Sequence, residues 1–209
     1  MKSLWLVLLF ALFVTGCSSD PENASVKQAF EDYKSAILND DAETAYGLVN
    51  ENTKAWYGET LDRVLTSNRD QIMELGVLDK IQVILIRHRV PREEILQMTP
   101  ESLFKYAASR GWVGKNSVSG LGIGKIDVQR DFATGVVRTN GEDSPIRFHF
   151  YKEDGVWRID LTELNKWGEA ALITQIKQSR QDELDYIFTL VQFASGKPVQ
   201  ESIWKPLIE

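Results

Sequence analysis

The chain is predicted to fold as an α+β protein, with helices first, packed on an antiparallel sheet formed late in the sequence. Three observations predict it. Residues 145–161, PIRFHFYKEDGVWRIDL, alternate strictly. Ile146, Phe148 and Phe150 interleave with Arg147, His149 and Tyr151; beyond Asp154-Gly155, Trp157, Ile159 and Leu161 interleave with Arg158 and Asp160. Alternation on both sides of an Asp-Gly pair is the mark of a tight β-hairpin with one apolar face. Much of the chain before it repeats apolar side chains at spacings of three and four, and residues 164–194 do so again after it. Helices therefore flank the sheet in sequence and have the faces to cover it.

Taken in order, Lys2 precedes an apolar run, 4–14, shorter than the roughly 20 residues a membrane-spanning helix needs. Residues 1–16 read as a secretory signal peptide. Val14-Thr15-Gly16-Cys17 closes it and resembles the lipobox of bacterial lipoproteins, where cleavage follows attachment of a diacylglyceryl group to the cysteine sulfur. Cys17 is the one cysteine in 209 residues, and lipidation gives an odd thiol in an exported protein a purpose. The resemblance implies an envelope protein held to its membrane through an N-terminal lipid. Ser18 stands where an aspartate would retain such a protein in the inner membrane, which favours the outer membrane, facing the periplasm. Residues 17–23 are then the lipidated cysteine and a short tether, and 24–209 a single α+β domain.

The composition narrows the partners. Lys and Arg number 24 against 30 Asp and Glu, so there is no basic excess of the kind a nucleic-acid partner requires. Nor is there polybasic help in holding a membrane, which leaves that to the acyl chains. The hydrophobic share, 43%, is that of an ordinary globular chain.

Ser25-x-x-Gln28 fits a capping box, opening a helix with Val26, Phe30, Tyr33 and Ile37 on one face. Asp40-x-x-Glu43 opens a second, with Ala42, Ala45, Tyr46 and Val49 inward, and a third covers about 53–65 with Trp56, Leu61, Val64 and Leu65. Residues 81–86 fit both periods; helical neighbours favour a buried helix. Thr99-Pro100-Glu101 starts the next helix and Gly111 stops it. Residues 117–130 turn to strand composition, with Gly120, Gly122 and Gly124 permitting a bulge or close approach, and 132–139 form a second strand closed by Asn140-Gly141. After the hairpin, the polar stretch 178–183 interrupts the helical pattern of 164–194, so two helices fit as well as one. The tail carries Trp204, expected to dock on the domain.

Helices first, then an antiparallel meander ending in Tyr-Lys-Glu-Asp-Gly-Val-Trp-Arg-Ile-Asp-Leu, resembles the nuclear transport factor two-like superfamily, which includes ketosteroid isomerase and polyketide cyclases. The matching parts are 25–56 and 125–161. The resemblance implies a curved, cone-like sheet around a helix, with extra helices inserted before the sheet and at the C-terminus. It also implies an interior pocket that some members use and others fill. The candidates to line such a pocket are Tyr33, Tyr46, Trp56 and Tyr57 with Phe148, Phe150 and Trp157, although aromatics at these spacings more often simply build core.

Chemistry is sparsely marked. A two-residue turn at Asp154-Gly155 would set His149 opposite Asp160, but on the face away from the aromatic set. They are therefore expected to form an outer cross-strand pair contributing about 0.2–1 kcal/mol, not an acid–base site. His88 lies between two arginines with no ligand set beside it, so no metal is expected. Gly114-Lys115-Asn116-Ser117 lacks the earlier glycine of a phosphate loop, position 109 being Ser, and the 120–124 glycines lack dinucleotide spacing. The expectation is a lipid-anchored envelope module with no catalytic residues and no cofactor, binding a small apolar ligand or an envelope protein. The alternatives are a small-molecule isomerase, dehydratase or cyclase using a pocket in the cone, and a structural accessory to a surface or transport assembly. Labelled palmitate should enter the wild-type protein but not Cys17→Ser, which should also leave the membrane fraction; equal labelling of the two would end the lipoprotein reading.

Overall fold

A computed structural model describes residues 20–112 and 115–208. Cys17 and the leader before it lie outside the described residues. The fold is α+β, with a helical layer and an open four-stranded antiparallel sheet in the order β1-β2-β3-β4.

Helix α1, Pro21–Leu38, is capped by Asp20, whose carboxylate accepts from Glu22 N, with Pro21 at the first helical position. The start lies inside the stretch expected to be tether. The Asp-Pro pair supplies both a cap and a pre-set backbone, and Ser25 sits within the helix, donating to the Pro21 carbonyl at 2.9 Å. The buried stripe runs Val26, Phe30, Tyr33, Ile37 as spaced, and the Phe30 ring meets Phe148 on the sheet at 4.9 Å. Helix α2, Ala42–Gly47, is capped by Asp41, not Asp40, which adopts a left-handed φ of 59° between the two helices. Helix α3, Glu51–Thr66, is capped by Asn50. After α4, Arg69–Glu74, the ambiguous run becomes helix α5, Val77–Arg89, burying Val77, Lys80, Val83, Ile84 and Ile86. After α6, Arg92–Ile95, comes α7, Pro100–Ser109, capped by Thr99 with Ser102 answering it reciprocally; the short α8, Lys115–Val118, follows.

The sheet comprises β1, Leu121–Gln129; β2, Phe132–Thr139; β3, Glu142–Glu153; and β4, Val156–Asp160. Two of its three tight turns, Asn140-Gly141 and Asp154-Gly155, have positive φ at both central residues, 52° and 86°, then 51° and 80°. That is the mirror-image turn whose twist matches the strands. The hairpin register is the expected one: Phe150 opposite Ile159, Tyr151 opposite Arg158, His149 opposite Asp160. The bulge expected near the alternate glycines falls between Ile123 and Ile126. The closest approach is elsewhere: a Cβ on Gly135 would meet Ile123 Cδ1 at 2.4 Å, so only glycine lets that side chain lie flat across β2.

Phe148, Phe150, Trp157 and Ile159 are buried together, as their shared parity demands. Trp157 also donates from its indole nitrogen to Glu22 at 2.8 Å, tying the hairpin to the first turn of α1. The free edge of β4 is closed by the α2–α3 connection. Ile159 N donates to Leu48 O and Asn50 N donates to Ile159 O, both at 3.0 Å, so the edge does not stand open to another chain. Beyond the sheet, α9, Thr162–Ser179, and α10, Glu183–Ser195, are separated at Arg180, which takes a left-handed φ of 58°. The tail returns through a 3₁₀ turn, Glu201–Trp204, and docks, with Trp204 buried and the amides of Leu207 and Ile208 both donating to Leu65 O.

One expectation is corrected. Asp160 faces away from the aromatic side, as its parity requires, yet it is only 2% exposed. The starts of α3 and α9 close over it. Asn50 and Asn52 donate their amides to one carboxylate oxygen at 3.1 and 3.0 Å, and Thr162 donates its backbone amide and hydroxyl to the other at 2.8 and 2.6 Å. His149 instead meets the Phe132 ring edge-on at 5.3 Å. Burial pushes the Asp160 carboxyl up, but the hydrogen bonds from Thr162, Asn52 and Asn50 outweigh it and hold the group below the usual aspartate value.

Trp157→Ala should lower the unfolding free energy by about 3–5 kcal/mol, the range for removing a large buried aromatic, when measured in urea. A loss below about 1 kcal/mol would mean that the ring contributes little to the core. Asp160→Ala should cost about 3 kcal/mol or more, because several donors lose a charged acceptor, whereas His149→Ala should cost less than about 1 kcal/mol. A folded-state value below the unfolded one of about 3.9 makes the Asp160 contribution complete above that pH and lost as pH falls through the folded value. The deficit of Asp160→Ala should therefore shrink in acid; equal costs for the two substitutions, or a deficit constant with pH, would contradict the buried-carboxylate assignment.

Candidate functional site

A cavity lies among the helices, not over the sheet. Helices α3, α5 and α7, the residue after the α7 stop and the start of α9 surround a cavity of about 370 Å³. Each helix contributes residues at its own three–four spacing: Trp56, Tyr57 and Thr60 from α3; Leu78, Ile81, Gln82, Leu85 and Ile86 from α5; Leu103 and Ala107 from α7. Leu161, Leu164 and Asn165 complete the wall on the α9 side. Tyr57, Thr60, Ile86, Leu103 and Ala107 are buried, and the remaining wall residues are half-buried.

Trp112 reaches this wall because of how α7 ends. Gly111, at φ 73°, donates to Ala108 O at 3.2 Å, and Trp112 N donates to Ala107 O at 2.9 Å. This paired closure needs a left-handed residue and folds the next one back along the helix. The indole is then braced by the edge of Tyr106 at 5.5 Å and by the Arg89 guanidinium at 5.3 Å from its ring. From α3, Trp56 meets Tyr57 edge-on at 4.9 Å, and Tyr57 meets Phe104 at 5.1 Å.

Among the described residues the wall is uncharged. Its one titratable group is the Tyr57 phenol, which burial pushes above its ordinary value, so it remains protonated at any physiological pH. Three wall residues have a polar atom shut off from solvent without a partner among the described residues: Thr60 Oγ1, Gln82 Oε1 and Trp112 Nε1. Each has under 1 Å² of accessible surface and so faces packed neighbours and not the open volume, and Tyr33 Oη and Glu153 Oε2, away from the cavity, are in the same condition.

Of the aromatics read from the sequence, Trp56 and Tyr57 line this cavity. Phe148, Phe150 and Trp157 are packed in the sheet core, Tyr33 is buried on α1, and Tyr46 packs on Phe104 at 5.4 Å; these five do not line it. The reason is volume: the apolar face of the sheet is filled by its own aromatics and by Phe30. Sequence reasoning did not single out Gln82, Thr60 or Trp112. The available signal was a polar side chain inside an apolar run, Ile81-Gln82-Val83, and a tryptophan directly after a helix-stopping glycine.

His88 stands at the end of α5 with Nε2 2.8 Å from Ser195 Oγ, linking α5 to α10. Among the described residues no group of three or more His, Cys, Asp or Glu is placed to hold a metal ion, and no helix is long and apolar enough to cross a membrane. Compared with protein-family models, curated proteins and solved structures, the chain matches none of them.

Proposed function

We propose that this chain is a lipid-anchored module of the bacterial envelope that binds a small, largely apolar ligand between its helices without transforming it. The uncharged cavity walled by α3, α5, α7 and α9 carries this reading. Its volume lies within the range of small-molecule sites, about 300–1,000 Å³, and its wall combines apolar and aromatic side chains with a few polar atoms, the usual recipe for such a site.

Binding is favoured over turnover by the state of the groups at hand. A general acid or base works best with a pKa near the operating pH. The Tyr57 phenol is held well above that range, and Asp160, the buried carboxylate beside the α9 wall, is held below it with both oxygens engaged. Neither is poised to exchange a proton near neutrality. The lipobox at Cys17 supports the anchor, and Ser18 supports an outer-membrane address facing the periplasm. A start of the first helix at Pro21 leaves only residues 18–20 after Cys17, a reach of about 10 Å at full extension, so the body would ride close to its membrane. Membership of the nuclear transport factor two-like superfamily, with a cone-like curved sheet, is part of the same proposal. Its support is the order of elements and the packing of α1 on an antiparallel meander.

The test is calorimetric titration of the detergent-solubilised full chain with the neutral probe N-phenyl-1-naphthylamine, against a detergent blank. Saturable binding at one site per chain is expected. Ala107→Trp, which fills the cavity from its buried wall, should weaken binding about tenfold or more, a factor worth about 1.4 kcal/mol. Leu85→Trp, from a half-buried position, should do the same and covers the case in which Ala107→Trp fails to fold. Undiminished binding in a folded variant, or no saturable binding in the wild type, would overturn the proposal.

A further inference from the structure

The turn that joins β2 to β3 carries a chemistry that the binding role does not use. We propose that Asn140 is a site of spontaneous deamidation, at which the Gly141 amide nitrogen attacks the asparagine side chain. Of the asparagines in the sequence, Asn140 alone precedes a glycine. A following residue with a Cβ crowds its own amide nitrogen, and glycine removes that obstacle. Both residues are exposed. Among the described residues, Gly141 N donates to no backbone acceptor and the Asn140 carboxamide takes no hydrogen bond; only Asn140 N is engaged, on Gly120 O at 3.1 Å. A Cβ on Gly141 would meet nothing within 4 Å, so the space around the nucleophile is open.

The step needs no reagent other than water. A bond forms between Gly141 N and Asn140 Cγ, and the bond from Cγ to Nδ2 breaks. The carboxamide nitrogen leaves as ammonia, taking the proton that Gly141 N gives up. The succinimide ring so formed then adds water at one of its carbonyls. Opening at the side-chain carbonyl yields aspartate. Opening at the main-chain carbonyl yields isoaspartate, whose main chain is one atom longer. Asn140-Gly141 is the whole of the loop between Thr139 and Glu142, which pair directly, so the extra atom falls where the hairpin has no residue to spare.

Other positions lack one or more of these conditions. Asp154-Gly155 makes the same turn, but a carboxylate is a poor electrophile and has no ammonia to release. Asn39 and Asn68 are exposed, yet Asp40 and Arg69 follow them. Their side chains are also engaged: Asn39 Nδ2 donates to Ser35 Oγ at 3.2 Å, and Asn68 Oδ1 accepts from Gln71 N at 3.0 Å. Asn50 and Asn52 hold the Asp160 carboxylate at the start of α3, where the helix fixes the backbone. The hairpin slows the attack, which needs rotation about the Asn140 backbone. It does not prevent it, because an exposed turn opens locally at far less cost than the core.

The experiment incubates the detergent-solubilised full chain at mildly alkaline pH, with and without urea, and follows each asparagine by peptide mapping and mass spectrometry. Isoaspartate is scored separately by enzymatic methylation of its freed carboxyl. Conversion at Asn140 in the folded chain should run about tenfold or more faster than at Asn39 or Asn68, a difference of about 1.4 kcal/mol in barrier. It should yield both products and speed up as pH rises, because the attacking amide must lose its proton. Asn140→Gly keeps a residue that accepts positive φ and should abolish the conversion with the hairpin intact. Conversion at Asn140 no faster than at Asn39 and Asn68, or confined to urea, would overturn the proposal. So would isoaspartate undiminished in Asn140→Gly. Aspartate without isoaspartate would show direct hydrolysis of the side-chain amide and overturn it as well.

Discussion

One buried carboxylate joins the two halves of this fold. Asp160 ends β4, and its two oxygens take hydrogen bonds from the start of α3 on one side and the start of α9 on the other. The chain closes on itself there: Asn50, which donates to Asp160, also accepts from Thr53 N and Thr53 Oγ1, and Thr53 Oγ1 accepts from Leu161 N. Helix cap, strand end and following helix are one network, so each member's orientation is fixed by the others. The ionised acceptor is what makes this worthwhile, since hydrogen bonds to a charge are worth roughly twice those between neutral groups. The cavity depends on the same joint, because α3 and the residues just after Asp160 form two of its walls.

A second charge does comparable work at the far end of α3. The Arg87 guanidinium has no carboxylate partner among the described residues and donates to the carbonyls of Val64, Arg63, Ser67 and Ile203, at 2.8, 3.3, 2.8 and 2.7 Å. Three of those oxygens belong to the last turn and exit of α3, where unpaired carbonyls concentrate negative potential. The fourth belongs to the docked tail. Burial lowers the Arg87 pKa to about 10, still high enough for the charge to persist at neutrality. Thus α3 is held at its start through an anion and at its end through a cation, the sign its dipole favours at each pole, although at the start the asparagine amides stand between the carboxylate and the backbone.

Local rules made much of the fold legible. The hairpin register, the split of the last helix near 178–183 and the α7 boundaries follow from turn residues and spacing, which act within a few residues. The start of α1 differs from the expected one because two cap signals compete, and Asp20-Pro21 prevails over Ser25 by adding a preset φ. The burial of Asp160 was not legible for a different reason. Parity states which face of a sheet a residue occupies, but not whether another element will cover that face. Asn50 and Asn52 lie more than a hundred positions away, and nothing near Asp160 announces them.

The position of the cavity follows from side-chain size more than from fold type. On the sheet, large residues face large ones, Phe30 against Phe148 and Phe148 beside Phe150, and they fill the space. Between the helices, Thr60 on α3 and Ala107 on α7 are small side chains at positions that bulkier neighbours surround. Two small residues on helices that border one space leave volume that close-packed interiors ordinarily lack. A leucine at either position would have been the simpler way to build a core. Placing a polar glutamine on a third wall, with its oxygen unpaired among the described residues, compounds the cost, since both the void and the orphan destabilise. Such a combination is poor core design but fits a surface kept for something else to complete, and it is where a sequence that follows packing rules elsewhere departs from them.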